Sequence, residues 1–479
     1  GDHPLGWTRG RRRGAMYSSQ SGVQSGLVYS PQAPQSYSLP AYPGGYGVPG
    51  ISVPGQNGFP PQVMSPNGRP AEDMFLFVNP GSGGNKGKVF LDAPKPFMVD
   101  VEGGKKVQLH IFSMLEGDSG NKPGFKMLKE VILRRGGGPV RAVVGGGDGT
   151  VMWADSEAQK HGIDTPKQVA WGIVPLGTGN DFSRVAGWGG DNPENVDDNN
   201  FALLKELTKQ WYAAKIRHHD VWEVAVNLDE TNGKLLKIGK TQVEEDLHVT
   251  SKTFHMVNYF SIGQESQVGM HFDKHRTKSQ TCNLFVYGMA GCLQELRCWG
   301  VQHIGNIVAN LYQGRDKNGS LIMDSEGDLG EPQLIGNPES LMFLNISSYA
   351  GGKAHLWQLE CELGVDPPPA KDSVNVTQEP GDGKLEVVTL PLIANIAMDK
   401  LVHQARKVCS GGPYFLEYFH GEDGSEVHAF FEVDGEFYHA INPETTSVYL
   451  FKKLQVLQRI PTGETSDEEW FDMPDVTCC

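Results

Sequence analysis

Gly145-Gly146-Gly147-Asp148-Gly149-Thr150 decides the reading of this chain. The mostly apolar run Val140 to Val144 precedes it and the helix-like stretch Thr150 to His161 follows, so a strand runs into a glycine turn that opens a helix. Glycines let backbone N–H groups approach a ligand unobstructed, and a helix start carries unpaired donors and partial positive charge. Such a turn suits a polyphosphate. Asp148 adds a carboxylate able to hold a metal ion, accept a proton or cap the helix. The pattern recurs in Trp171-Gly-Ile-Val-Pro-Leu-Gly-Thr-Gly-Asn-Asp-Phe-Ser-Arg184, a second strand and glycine turn entering another helix.

Working outward, Met74 to Val78 reads as a strand ending in Asn79-Pro-Gly-Ser-Gly-Gly-Asn-Lys-Gly87. Val107 to Phe112 reads as another strand, and Phe125 to Arg134 has apolar residues at helical spacing. The alternation predicts a doubly wound parallel sheet with all three glycine turns on its carboxyl edge, where nucleotide sites form. After about residue 220 the texture changes. Val221 to Val226, Thr253 to Ile262, Leu341 to Ile346, Leu385 to Leu390, Tyr414 to Tyr418, Val427 to Val433 and Val448 to Phe451 are strand-like. Turn signals such as Asp316-Lys-Asn-Gly319, Asp382-Gly383 and Asp434-Gly435 separate them, which predicts a β-rich second domain. The expected division is therefore a disordered low-complexity tail over 1–70, an α/β nucleotide-binding domain over 72–220, a β-rich domain over 221–455 and an acidic tail over 456–479.

With 479 residues the chain is long enough for two cored domains, and its net charge of −15 argues against an extended nucleic-acid surface. No apolar run approaches the roughly 18 residues of a membrane span, so any membrane contact is expected to be peripheral. Seven cysteines without a Cys-x-x-Cys pair suggest neither a disulfide framework nor zinc, and a cytoplasmic setting fits. Sequons occur at Asn318, Asn345 and Asn375. The stripe Leu293, Leu296 and Trp299 reads as core or as acyl-chain contact, and Cys478-Cys479 as a possible lipidation end.

The paired turns Val-Val-Gly-Gly-Gly-Asp-Gly-Thr and Pro-Leu-Gly-Thr-Gly-Asn-Asp resemble the catalytic domain of diacylglycerol kinases. Phe77-Val-Asn-Pro-Gly-Ser-Gly-Gly84 is similar to that family's first nucleotide loop. Asn258-Tyr-Phe-Ser-Ile-Gly263, Leu344-Asn-Ile-Ser-Ser-Tyr-Ala-Gly-Gly352, Asp382-Gly-Lys-Leu-Glu-Val387 and Val433-Asp-Gly-Glu436 resemble its accessory-domain motifs, in the expected order. The chain departs from the family pattern at Gly263-Gln264-Glu265-Ser266, where a shorter aspartate is usual, and at Asn283-Leu284, where a lysine is usual. Seven cysteines cannot build cysteine-rich lipid-binding modules, so a minimal kinase is expected.

The resemblance implies a Rossmann-like domain of the phosphofructokinase type that uses ATP and Mg²⁺ to turn diacylglycerol into phosphatidic acid at the cytosolic face of a membrane. A ceramide or sphingoid-base kinase and a non-catalytic scaffold are the alternatives; protein partners are left unassigned. Asn79, Ser82, Gly83, Gly145, Gly146, Gly147, Gly149, Thr150, Gly177, Thr178 and Asn180 are the expected nucleotide contacts. Asp148 and Asp434 are the expected metal-linked carboxylates, with Asp434 alternatively structural. Asp148 and Glu436 are the expected catalytic groups, Glu436 as general base or as a solvated hairpin residue. Spacing alone does not choose between proton transfer and metal geometry for Asp148.

Overall fold

In the computed structural model, residues 71–239, 242–275, 301–328, 330–352, 355–358, 361–391, 405–421 and 425–460 are described. The expected N-terminal tail, the stripe Leu293 to Trp299, Asn283-Leu284, and Cys478-Cys479 lie outside them. The first strand, β1 (Glu72–Val78), explains how the N-terminal half is layered. Phe75, Leu76, Phe77 and Val78 are all fully buried, as befits a central strand covered on both faces. It pairs in parallel with β3 (Lys105–Ser113) on one side and β4 (Val140–Gly146) on the other. β2 (Phe97–Val101) is antiparallel to β3, and β5 (Val169–Pro175) is parallel to β4.

Alternation along β1 sorts its side chains between two helical layers. Phe75 and Phe77 pack with Phe125, Leu128 and Val131 of the helix Pro123–Arg135 and with Val151, Ala154 and Ala158 of the helix Asp148–Lys160. Leu76 and Val78 face Phe90, Leu204 and Trp211 on the opposite side. The result is a mixed α/β core in which β1, β4 and β5 end side by side. Their carboxyl ends are Val78, Gly146 and Pro175, the residues after which the three glycine-rich turns begin.

The C-terminal half is β-rich, as expected. An eight-stranded antiparallel sheet includes Leu385–Leu390, Ser340–Leu344, Tyr259–Gly263, His428–Val433 and Glu436–Ile441 as neighbours, in that order. Asp316 to Gly319 makes a hairpin turn between Val308–Gln313 and Ser320–Asp324. Asp434 and Gly435, at φ 49° and 82°, form the two-residue turn between the strands that pair Val433 with Glu436. Both central residues at positive φ fit the right-handed twist of a hairpin.

Three details differ from the sequence reading. Thr253 to Ile262 is two strands: Ser251–Met256 belongs to the first sheet and Tyr259–Gly263 to the second, with the crossing at Val257-Asn258. The division between Asp220 and Val221 falls inside one continuous strand, β6 (Lys215–Leu228). The strand Pro443–Gln458 pairs antiparallel with β6 and also parallel with β5, through Gln455↔Ala170 and Val456↔Trp171. The expected tail thus begins within the sheet, because turn signals mark where strands end but not which sheet they join. Asn345, in one sequon, is fully buried and bonded to Trp222 and the carbonyls of Asp220 and Val257.

The end of that last strand is held firmly. Leu457 is fully buried against Gly172 of β5, and its carbonyl accepts the Trp188 indole N–H at 2.7 Å. Leu457→Ala is therefore expected to lower stability by about 2–5 kcal/mol. Because the strand joins β5 of the N-terminal half to β6 of the C-terminal half within one sheet, denaturant unfolding of the variant should remain one transition followed alike by fluorescence and far-UV dichroism. A separate early loss of one half would contradict this.

Candidate active site

The three turns are laced together by their own backbones. Asn79 N–H donates to the Gly145 carbonyl at 2.9 Å, and Leu176 N–H to the Gly146 carbonyl at 3.0 Å. Gly147 and Gly177 stand face to face, so that a Cβ on Gly177 would come within 2.7 Å of the Gly147 Cα. Gly83, at φ 61°, brings the first turn against Leu176. Asn180 adopts the left-handed conformation and spends its side chain on the loop. Its Oδ1 accepts the Gly177 N–H at 2.8 Å, and its Nδ2 donates to the Gly177 and Gly190 carbonyls. Asn180 thus shapes the turn, whereas Thr178 and Gly149 are exposed on top of it. Thr150 N–H returns to the Gly147 carbonyl at 2.9 Å, and Ser82 N–H to the Asn79 carbonyl at 3.1 Å.

Each of the two parallel strands β4 and β5 ends in a glycine turn whose helix begins with an aspartate, Asp148 or Asp181. These two carboxylates and Asp434 meet where the halves of the chain touch. Asp148 Oδ2 accepts from the Asp181 N–H at 3.0 Å and from the Asn258 Nδ2 at 3.1 Å. Its Oδ1 is buried with no hydrogen-bond partner. Burial, with Asp181 and Asp434 nearby, pushes the Asp148 carboxyl up to about 7.

Asp434 is different. Its Oδ2 accepts the Val257 N–H at 2.8 Å, and its Oδ1 accepts those of Asn258 and Tyr259 at 2.8 and 3.2 Å. With both oxygens taken by backbone, the structural role left open by the sequence is the one the geometry supports, and a metal ligand there is not. Burial outweighs those three bonds and pushes its carboxyl up to about 6. Asp181 is held from the accessory side: Ser348 Oγ donates to it at 2.5 Å and Gly351 and Gly352 N–H at 3.0 to 3.1 Å, while the Tyr259 hydroxyl stands at 3.4 Å.

Glu436 does not join this group. It is exposed, ion-paired with Lys237 at 2.9 Å and bonded by the Tyr438 hydroxyl at 2.8 Å. These partners outweigh its partial burial and hold its carboxyl below the usual range, which suits a general base poorly. Glu265, the substituted position, is buried at the start of the helix Gln264–His275. It accepts from the Tyr349 and Ser261 hydroxyls, both at 2.6 Å. Burial and the adjacent Glu265 raise the Glu432 carboxyl well above its ordinary value.

Sequence reasoning chose Asp148 but passed over Asp181, Asn258, Tyr259, Ser348 and Gly351. The signal for Asp181 was present, since it opens its helix as Asp148 opens the other. For the accessory residues the motifs were visible, but nothing in them revealed which carboxylate they would meet. Among the described residues no three His, Cys, Asp or Glu side chains form a metal cage. The free Asp148 Oδ1 nevertheless fits Mg²⁺, which takes one or two carboxylates and fills its shell with phosphate and water oxygens.

A family model of the diacylglycerol kinase catalytic domain matches residues 73–210, and one of the diacylglycerol kinase accessory domain matches residues 255–437. Diacylglycerol kinase 5 of Arabidopsis thaliana is 25% identical over 416 residues, covering 77% of this chain and 72% of the plant protein. The eye-specific diacylglycerol kinase of Drosophila melanogaster is 29% identical over 294 residues, covering 59% of this chain but 17% of the fly protein. Diacylglycerol kinase theta of Rattus norvegicus is 26% identical over 314 residues, 63% of this chain and 28% of the rat protein. The chain thus spans less than a third of these animal relatives.

The Asp148 geometry has a signature in stability. With a folded pKa of about 7 against an unfolded value of about 4, the folded chain binds a proton there that the unfolded chain has lost. That contribution is full below about pH 4 and is lost as pH rises through about 7. Asp148→Asn should reduce the fall and raise the melting temperature at pH 8 above that of the wild type. Parallel melting curves from pH 4 to 8 would assign the fall to another group.

Proposed function

We propose, since the chain belongs to the diacylglycerol kinase family, that it transfers the γ-phosphate of ATP to the hydroxyl of diacylglycerol, giving phosphatidic acid and ADP. The observation that carries this reading is the unpartnered oxygen of Asp148 at the junction of two glycine turns and the accessory motifs. The N-terminal half is read as a doubly wound, phosphofructokinase-type nucleotide domain over 72–220, and 221–455 as the accessory part. No helix among the described residues is long and apolar enough to cross a membrane. A peripheral enzyme, cytoplasmic and working at the cytosolic leaflet, is the reading proposed.

In this mechanism the turns at Asn79, Ser82, Gly146, Gly147, Gly177 and Thr178 line the site for phosphate and ribose oxygens. Phosphoryl transfer asks the protein chiefly for position and charge neutralisation. Asp148 would hold Mg²⁺, which neutralises charge on the transferring phosphate when bound. Asn258, oriented by Asp434, fixes the Asp148 carboxylate through Oδ2 and leaves Oδ1 for this task. As an alternative to that metal role, a metal-free Asp148 carboxyl near 7 would be better matched than Glu436 to take the proton leaving the lipid hydroxyl.

The reading is tested with labelled ATP and mixed micelles of diacylglycerol, ceramide and sphingosine. Label is expected in phosphatidic acid. Asp148→Asn should lower the rate roughly 10²–10⁴-fold, the range for a positioned acid–base group, while Glu436→Gln stays within about tenfold of the wild type. Label confined to a sphingolipid would overturn the substrate, and a fully active Asp148→Asn would overturn the site.

A further inference from the structure

Arg184 sits on the short helix Asp181–Val185, at the end of the second glycine motif. Its Nε donates to the Gly179 carbonyl at 3.3 Å. The guanidinium lies in a slot between two glycines that are far apart in sequence. A Cβ on Gly190 would overlap the guanidinium itself, and one on Gly352 would come within 2.9 Å of its Cδ and 3.1 Å of its Nη1. Gly352 belongs to the accessory loop whose amides hold Asp181. The slot is therefore built from both halves of the chain, at the mouth of the turn Gly177 to Asn180.

Among the described residues Arg184 has no carboxylate within ion-pairing range, although Asp181 lies one turn away, and neither Nη atom has a hydrogen-bond acceptor. Lys86 pairs with Glu194 at 3.6 Å, and the buried Lys122 donates to the carbonyls of Met114 and Gly117. A partly buried cation without a counter-charge is costly, and a planar fork of unused donors matches phosphate oxygens.

We propose that Arg184 clamps the outer phosphates of the nucleoside triphosphate, and that the accessory loop at Gly352 holds its guanidinium in place. This deepens the kinase reading and rests on it. The arginine adds positive charge at the mouth of the second turn, and it makes the binding of a triphosphate depend on contact between the two halves.

The test is calorimetric titration of the full chain with AMP and with the imido analogue of ATP, both with Mg²⁺. Arg184→Gln is expected to bind AMP within about twofold of the wild type but the ATP analogue about 10- to 100-fold more weakly, as befits a lost charged hydrogen bond. Arg184→Lys should recover part of the difference. Gly190→Ala, which displaces the guanidinium without removing it, should behave like Arg184→Gln. Equal losses for AMP and the ATP analogue would mean that Arg184 only props the loop, and an unchanged ratio would remove it from the phosphate site. A wild type that binds neither nucleotide would overturn the kinase reading itself, an outcome distinct from both.

Discussion

The Asp434 carboxylate takes three consecutive backbone N–H groups, those of Val257, Asn258 and Tyr259, at the point where the chain leaves one sheet for the other. A strand that changes sheets abandons its ladder, and its amides then need other acceptors. One carboxylate satisfies all of them. It comes from a two-residue hairpin turn at the far end of the sequence, so the crossing is fixed by residues nearly 180 positions apart. Asn258 can orient Asp148, and Tyr259 can reach Asp181, only because this crossing is rigid. The cost is visible in Asp434 itself, whose carboxyl is pushed up to about 6 despite its three donors.

Three carboxylates in one partly dry region oppose each other, and a fold selected only for stability would not collect them. Two are quenched by backbone amides and hydroxyls. Asp148 alone keeps an oxygen buried and unsatisfied. The distribution is uneven: the quenched acids hold loops in place, and the unquenched one has an oxygen open to a cation or a proton. Glu432, its carboxyl raised by burial and by Glu265, and the hydroxyl-bound Glu265 extend the same interior towards the helix Gln264–His275.

Much of the fold could be read from local pattern. The strand, glycine and helix order around Gly145 and Leu176 is short-range information, and hydrophobic runs such as Phe75 to Val78 declare a buried parallel strand. The Asp434-Gly435 turn was equally legible, because both residues tolerate positive φ. What escaped was long-range. Nothing near Val456 says that it will lie beside Trp171, and the lysines Lys452 and Lys453 disguise that strand as a polar surface. Likewise Glu436 looks like an acid beside an active aspartate until the fold turns it towards Lys237. Residue types suggested the chemistry, but partners decide which acid is left with a free oxygen.

The strand Pro443–Gln458 carries one more implication, for the order in which the molecule is made. A ribosome releases the N-terminal half first, yet the parallel sheet of that half leaves the flank of β5 open until residues some 280 positions later arrive. Contacts of such long separation close slowly, and an open sheet edge is sticky. The nascent chain must therefore carry its Gly-rich turns on an unfinished platform through most of translation. Until Gln455 and Val456 emerge, β5 lacks its second parallel neighbour, so the sheet that carries the turns is completed late.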